Sequence, residues 1–91
     1  MLPISWSAAA LDDLGHIIDY IAEFDVDAAI AMHGLIESSI QPTSEHPYLY
    51  KQGRVPGTRE IVAHPNYIIV YEVRAAHIEV MAVLHARQEY P

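Results

Sequence analysis

The sequence predicts an α+β fold of order β-α-α-β-β-β, an antiparallel four-stranded sheet with a helical hairpin packed on one face. Three observations carry this. Residues 8 to 41 hold two stretches of helical apolar periodicity separated by a short break. Residues 57 to 91 hold three closely spaced runs rich in Ile, Val and Tyr, joined by short connections of turn-forming residues. At 91 residues the chain has room for one domain with a single modest core, so every apolar face must be used.

Taken in order, Leu2 to Trp6 is a short apolar run, read as an edge strand with Pro3 near its start, where a missing N–H is tolerated. Ser7 is placed to cap a helix from Ala8 to about Glu23, with Leu11, Leu14, Ile17, Ile18 and Ile21 at helical spacing and Asp12, Asp13, Asp19 and Glu23 on the other side. Asp25 or Asp27 can cap a second helix running to Ile40 or Gln41, with Ala29, Met32, His33, Ile36 and Ile40 along one stripe. Gly34 within it costs ~1 kcal/mol against Ala unless it lets the other helix approach closely. The short link makes an antiparallel hairpin of helices ~24 Å long, matched to strands of ~23 Å.

Gln41 to Gly57 shows no periodicity and carries Pro42, Pro47, Pro56, Gly53 and Gly57, so it is a long loop, either functional or packed by its own Tyr48, Leu49 and Tyr50. The three late strands are Thr58 to His64, Tyr67 to Val73 and Ile78 to Ala86, joined by a turn at His64-Pro65-Asn66 and by Arg74 to His77. Strict alternation in the last strand puts Ile78, Val80, Ala82, Leu84 and Ala86 on one face and Glu79, Met81, Val83, His85 and Arg87 on the other. The middle strand is apolar on both faces, Tyr67, Ile69, Tyr71 and Val73 against Ile68 and Val70. The helices cover one face only, so apolar material is expected on the other, as at a partner site.

Composition narrows the function. The apolar fraction of 52% is high and the charged fraction of 19% low for a soluble domain. Residues 1 to 50 contain eight acids and no Lys or Arg, while residues 51 to 91 hold Lys51, Arg54, Arg59, Arg74 and Arg87 against four acids. A net charge of −7 is poorly suited to gripping a phosphate backbone, which needs clustered cations. The chain has no cysteine, so thiolate metal sites and disulfides are excluded and a reducing cytoplasm fits. No apolar run approaches the ~20 residues of a membrane span, and the opening residues lack the features of a signal peptide. The expectation is a soluble cytoplasmic protein.

The polar groups that invite a chemical reading are His85 and Arg87, two apart in the last strand, with Tyr90 on the tail and Arg59 in the first late strand. Brought together they could move protons and neutralise a phosphate. Alternatively Arg59 pairs with a carboxylate and His85 bonds within the sheet. The six histidines are scattered without metal-ligand spacing, and no cofactor motif is present, so neither a metal nor a cofactor is expected.

Several segments carry a family resemblance. The stretch Ser7-Ala8-Ala9-Ala10-Leu11-Asp12-Asp13-Leu14 with Tyr20-Ile21-Ala22, and the run Gly57-Thr58-Arg59-Glu60-Ile61-Val62, resemble the RelE/ParE toxin superfamily. His64-Pro65-Asn66-Tyr67-Ile68-Ile69-Val70-Tyr71 and Val83-Leu84-His85-Ala86-Arg87-Gln88 resemble its ParE branch in particular. The resemblance implies a toxin of a type II toxin-antitoxin pair, neutralised by a cognate antitoxin in a higher-order complex. ParE-type members are taken to bind DNA gyrase and block replication without catalysing a reaction; RelE-type members cut mRNA in the ribosome. RelE-type nucleases are usually strongly basic, so the acidity of this chain favours the ParE reading. On that reading no residue is catalytic, and Arg59, Met81, Val83, His85, Arg87 and Tyr90 are target-binding. Leu11, Leu14, Ile18, Ile21, Met32 and Ile36 are antitoxin-binding, and nucleic acid is met only through the antitoxin. On the RelE reading Arg59, His85, Arg87 and Tyr90 are the catalytic set.

Overall fold

The computed structural model describes residues 1–91. Strand β1 spans Ile4–Trp6, helix α1 Ala8–Ala22, helix α2 Val26–Ile40, and strands β2, β3 and β4 span Arg59–His64, Tyr67–Val73 and Ile78–His85. The predicted element order is the observed one. Both helix starts are capped as the sequence indicates: Ser7 Oγ accepts the Ala10 N–H at 3.0 Å, and Asp25 Oδ1 accepts the Ala28 N–H at 3.0 Å.

The sheet order is β1-β4-β3-β2. β2, β3 and β4 form an antiparallel meander, but β1 pairs with β4 in parallel, Ile4 opposite Ile78 and Trp6 opposite Val80, so the sheet is mixed rather than wholly antiparallel. The reason lies at Ser7, the single residue between β1 and α1. With no turn there, α1 continues in the direction of β1 and runs alongside β4, its Asp13 Oδ2 accepting the Val83 N–H at 3.0 Å. α2 brings the chain back to its starting end, where the Leu2 N–H donates to the Ser44 carbonyl at 2.9 Å. β2 therefore sets out from the same end as β1, and two short reversals give β4 that direction too.

A second departure is local. β3 and β4 pair Val70 with Ala82 and Tyr71 with Val80, so Met81 has no partner and forms a bulge. The extra residue reverses the alternation. Ile78 and Val80 face the helices before it, and Val83 does so after it, in the main core with Ala10, Leu14, Ile36, Ile40, Ile61, Ile69 and Tyr71. Ala82 and Leu84 turn instead to the opposite face and bury themselves with Val70. The strictly alternating assignment of Val83 and His85 to the outer face, and of Ala82 and Leu84 to the helix face, is thereby corrected; His85 lies on the side of α1.

The long loop packs through its own aromatics. A 3-10 turn at Gln41–Ser44 follows α2; Tyr50 then meets Tyr71 edge to face at 6.4 Å, and the Tyr71 hydroxyl donates to the Pro47 carbonyl at 2.8 Å. Tyr48 and Leu49 remain exposed. Gly34 does not bring the helices together, since a Cβ there would meet nothing within 4 Å.

Candidate functional site

The face of the sheet away from the helices is less open than the sequence suggests. Val70, Ala82 and Leu84 are buried there, with Met81 and Tyr90 packed against them. The tail after β4 folds back over this face, aided by Arg54 Nη1 donating to the Gln88 carbonyl at 3.3 Å. Beside it Glu60 is buried and receives Arg54 twice, through the backbone N–H at 2.9 Å and through Nε at 3.3 Å. Val62 is the large apolar side chain left exposed on this side.

The residues singled out in the second half do not share one surface. Arg59 opens β2 and holds the long loop: Nη1 donates to the Tyr50 carbonyl at 2.6 Å and to that of Tyr48 at 3.5 Å, and the guanidinium lies 5.0 Å from the centre of the Tyr48 ring. Neither a carboxylate partner nor a free guanidinium is found there. Val83 is in the core beneath α1, 3% exposed, out of reach of any target. Met81 and Tyr90 lie on the tail side, and Arg87 is exposed beyond β4. His85 is exposed; its Nδ1 accepts the Arg87 N–H at 3.1 Å, and its ring meets Tyr67 edge to face at 5.6 Å.

Register fixes the distance between the two arginine-bearing regions. Arg59 pairs with Tyr71, and Tyr71 with Val80, whereas His85 pairs with Tyr67 in the row of His64, at the far end of β2. Arg59 and His85 are thus separated by two strand spacings of ~4.8 Å and by four to five residues along the strand, ~13–16 Å. Arg59, His85, Arg87 and Tyr90 do not converge on one reacting atom.

A cleft of ≈ 530 Å³ does form where β1 ends and α1 passes the outer edge of β4. Asp13, His16, Tyr20, Tyr67, His85 and Gln88 are among its lining residues. Side chains close this strand edge: Ser7 Oγ donates to the Met81 carbonyl at 3.3 Å, Asp13 accepts from Val83, and Gln88 Oε1 accepts the His85 N–H at 3.3 Å. No group of three or more His, Asp or Glu side chains is arranged to hold a metal ion. No helix is long and apolar enough to cross a membrane.

The hairpin residues divide between core and surface. Leu14 and Ile36 are buried against the sheet, 5% and 0% exposed, and Ile21 and Met32 pack partly buried onto the same core. Partner contact through Leu14 and Ile36 is therefore closed off by the protein's own sheet. Ile18 also packs partly buried onto that core while lining a groove between the helices, whereas Leu11 looks outward, as do Tyr20, Phe24, Val26 and Ile30, which were not among the expected contact residues. The signal was present: Val26, Ile30 and His33 stand at helical spacing on a second stripe of α2.

The family model for the ParE toxin of the type II toxin-antitoxin system, parDE, matches residues 4–90. The chain belongs to the ParE toxin family. Among relatives of this ParE-family chain, Y4kP of Sinorhizobium fredii (strain NBRC 101917 / NGR234), a protein bearing a toxin designation, is 36% identical over 89 residues, covering 97% of this chain and 92% of that one. Toxin RelE2 of Caulobacter vibrioides is 32% identical over 88 residues, covering 94% and 97%. The fold is also that of the chromosomal ParDE system from P. aeruginosa, with a TM-score of 0.82 at 19% identity over 93% of this chain and 96% of that one. The YoeB dimer of Staphylococcus aureus is similar at a TM-score of 0.65 and 18% identity, covering 98% of both chains. The ParE-family chain is thus a type II toxin, and membership implies an antitoxin partner.

Proposed function

We propose that this chain arrests growth in the cytoplasm by binding DNA gyrase and blocking replication, without catalysing a reaction, until a cognate antitoxin covers it. The observation that carries the choice is the separation of Arg59 from His85, with the Arg59 guanidinium committed to Tyr48 and Tyr50. Phosphodiester cleavage needs a base, an acid and cationic stabilisers held within hydrogen-bond reach of one phosphate, and the candidate residues lie at two ends of the sheet. The acidity of the chain adds to this, because ribosome binding rewards clustered cations and the net charge is −7.

Recognition of the target then falls to the region around the end of β4 and the tail, with Met81 and Tyr90 contributing from the face away from the helices, His85 from the cleft beside α1, and exposed Arg87 beyond the strand end. Nucleic acid is met only through the antitoxin. Purified toxin at micromolar excess is expected to inhibit gyrase supercoiling and to raise the level of cleaved-DNA complex; unchanged supercoiling and cleavage would remove gyrase as the target. Arg87→Ala is expected to weaken inhibition roughly tenfold, the loss of one charge-assisted contact worth ~1.4 kcal/mol.

The second reading is a ribosome-dependent mRNA endonuclease, favoured by the relative named RelE2 and by exposed His85 and Arg87 standing two residues apart. A translation extract decides between them: message cut in the presence of the chain, and spared by Arg87→Ala and Tyr90→Phe, would establish the nuclease.

A further inference from the structure

Two of the six histidines hold the end of the sheet through the same kind of contact. His64 Nδ1 accepts the Asn66 N–H at 3.0 Å, and His85 Nδ1 accepts the Arg87 N–H at 3.1 Å. Each bond reaches two residues along the chain, the local pattern by which an Asn or Asp side chain closes a turn on its own backbone. A ring nitrogen that accepts carries no hydrogen, so both imidazoles are neutral with the hydrogen on Nε2. An imidazolium presents N–H at both nitrogens and would set a donor against a donor at each place.

The ion-paired histidines respond in the opposite sense. His33 lies 3.0 Å from Glu37 and His77 lies 2.9 Å from Glu79, so a proton on either ring strengthens its contact. Neither His64 nor His85 belongs to an ion pair. From α1, Asp13, His16 and Tyr20 line the cleft that His85 also lines; from β3, the Tyr67 ring stands between the two, 5.6 Å from His85 and 5.9 Å from His64. The tail adds exposed Arg87 and Glu89, which oppose each other in sign. A charged His85 therefore loses the Arg87 N–H on the tail, while Asp13 offers it an acceptor on α1 that a charged His16 opposes.

What the two rings hold is the tail. The Ala86 N–H donates to the Asn66 carbonyl at 2.7 Å, which makes the turn at His64 and the start of the tail one junction. The Gln88 N–H donates to the His85 carbonyl at 2.9 Å and Arg54 Nη1 to the Gln88 carbonyl at 3.3 Å, before Tyr90 settles against Val70, Ala82 and Leu84. A short segment with solvent-exposed bonds is the kind of unit that opens without unfolding the rest.

We propose that His64 and His85 form a pH-sensitive latch on the tail. Neutral, they pin the turn and the tail in place; protonated, they release both, and Tyr90 leaves the apolar face made by Val70, Ala82 and Leu84. The latch is independent of what the toxin binds, since its opening is read without any target present.

The test uses the full-length chain and nuclear magnetic resonance. At about pH 8 the histidine nitrogen spectra are expected to show both rings with hydrogen on Nε2, and the Tyr90 ring to give NOEs to the methyls of Val70, Ala82 and Leu84. At about pH 5.8, with the rings charged, those NOEs are expected to fall at least about threefold and the amide order parameters of Arg87 to Tyr90 to drop below ~0.6. The double variant His64→Asn/His85→Asn places an Oδ1 where each Nδ1 stood, an acceptor that takes up no proton in this range, so its tail stays closed at both pH values. His33→Asn, away from the junction, leaves the response unchanged. A His85 ring with its hydrogen on Nδ1 at about pH 8, NOEs that persist once both rings are charged, or a double variant that opens as the wild type does would each overturn the proposal. The first two outcomes are read on the unaltered chain, so they decide the matter even if the variant does not fold.

Discussion

Tyr71 joins the core to the long loop through one hydroxyl. The ring is fully buried, the hydroxyl donates to Pro47, and burial pushes its pKa from 10.0 up to about 12, with the Arg59 charge opposing the rise and Tyr50 adding to it. Above pH 10 the unfolded chain releases this proton while the folded chain keeps it, so stability falls as pH rises from 10 to about 12, by at most ~1.4 kcal/mol per unit. Urea titrations across that range should show the slope, and Tyr71→Phe should flatten it. Gly53 is constrained differently. A Cβ there would sit 2.5 Å from Thr58 Oγ1 and 3.2 Å from Glu60, and the Thr58 hydroxyl is already held by the Val55 carbonyl at 2.7 Å. Gly53→Ala is expected to cost ~1–3 kcal/mol in thermal or chemical denaturation, the range for forcing extra volume into a packed site.

At the scale of elements, the two helices are stabilised mainly by what they bury. Leu14→Ala should cost ~2–5 kcal/mol by opening a cavity under α1, while Leu11→Ala, at a site 54% exposed, should stay within ~0.5 kcal/mol. Gly34→Ala is expected to raise stability by ~0.5–1 kcal/mol, because the position is helical and nothing lies within 4 Å of the added methyl. Denaturant midpoints of the three variants check both statements. The elements were legible in the sequence because their signals are local: Ser7 and Asp25 as caps, His64-Pro65-Asn66 as a turn, the Ile and Val runs as strands. Strand direction was not, since periodicity says nothing of whether a chain reverses at Ser7. The side of β4 on which Val83 lies was also hidden, because one unpaired residue inverts everything after it and leaves composition unchanged. The candidate site suffered most from this: Val83 and Arg59 turned out to be held inside or against the fold, and the exposed Val26 and Ile30 stood on a second stripe of a helix that is apolar on two sides.

For the molecule as a whole, the helices cover one face of the sheet and the chain's own tail covers part of the other. Removing Gln88 to Pro91 takes Tyr90 off Val70, Ala82 and Leu84 and breaks the Arg54 contact to Gln88. The shortened chain is expected to lose ~1–3 kcal/mol, the worth of one large apolar side chain buried, and to self-associate in sedimentation; equal stability and a single monomeric species would show that the tail is no cover. The bulge at Met81 reaches further than the protein itself. A relative whose strand has the same length but no bulge at this point would send the side chain aligned with Val83 outward and the one aligned with Leu84 beneath the helices, whereas one lacking only the extra residue keeps both on their present faces. The bulge therefore absorbs an extra residue without changing the faces beyond it, and equivalence between family members along β4 is a matter of which face a residue occupies, not of its count from the end of the strand.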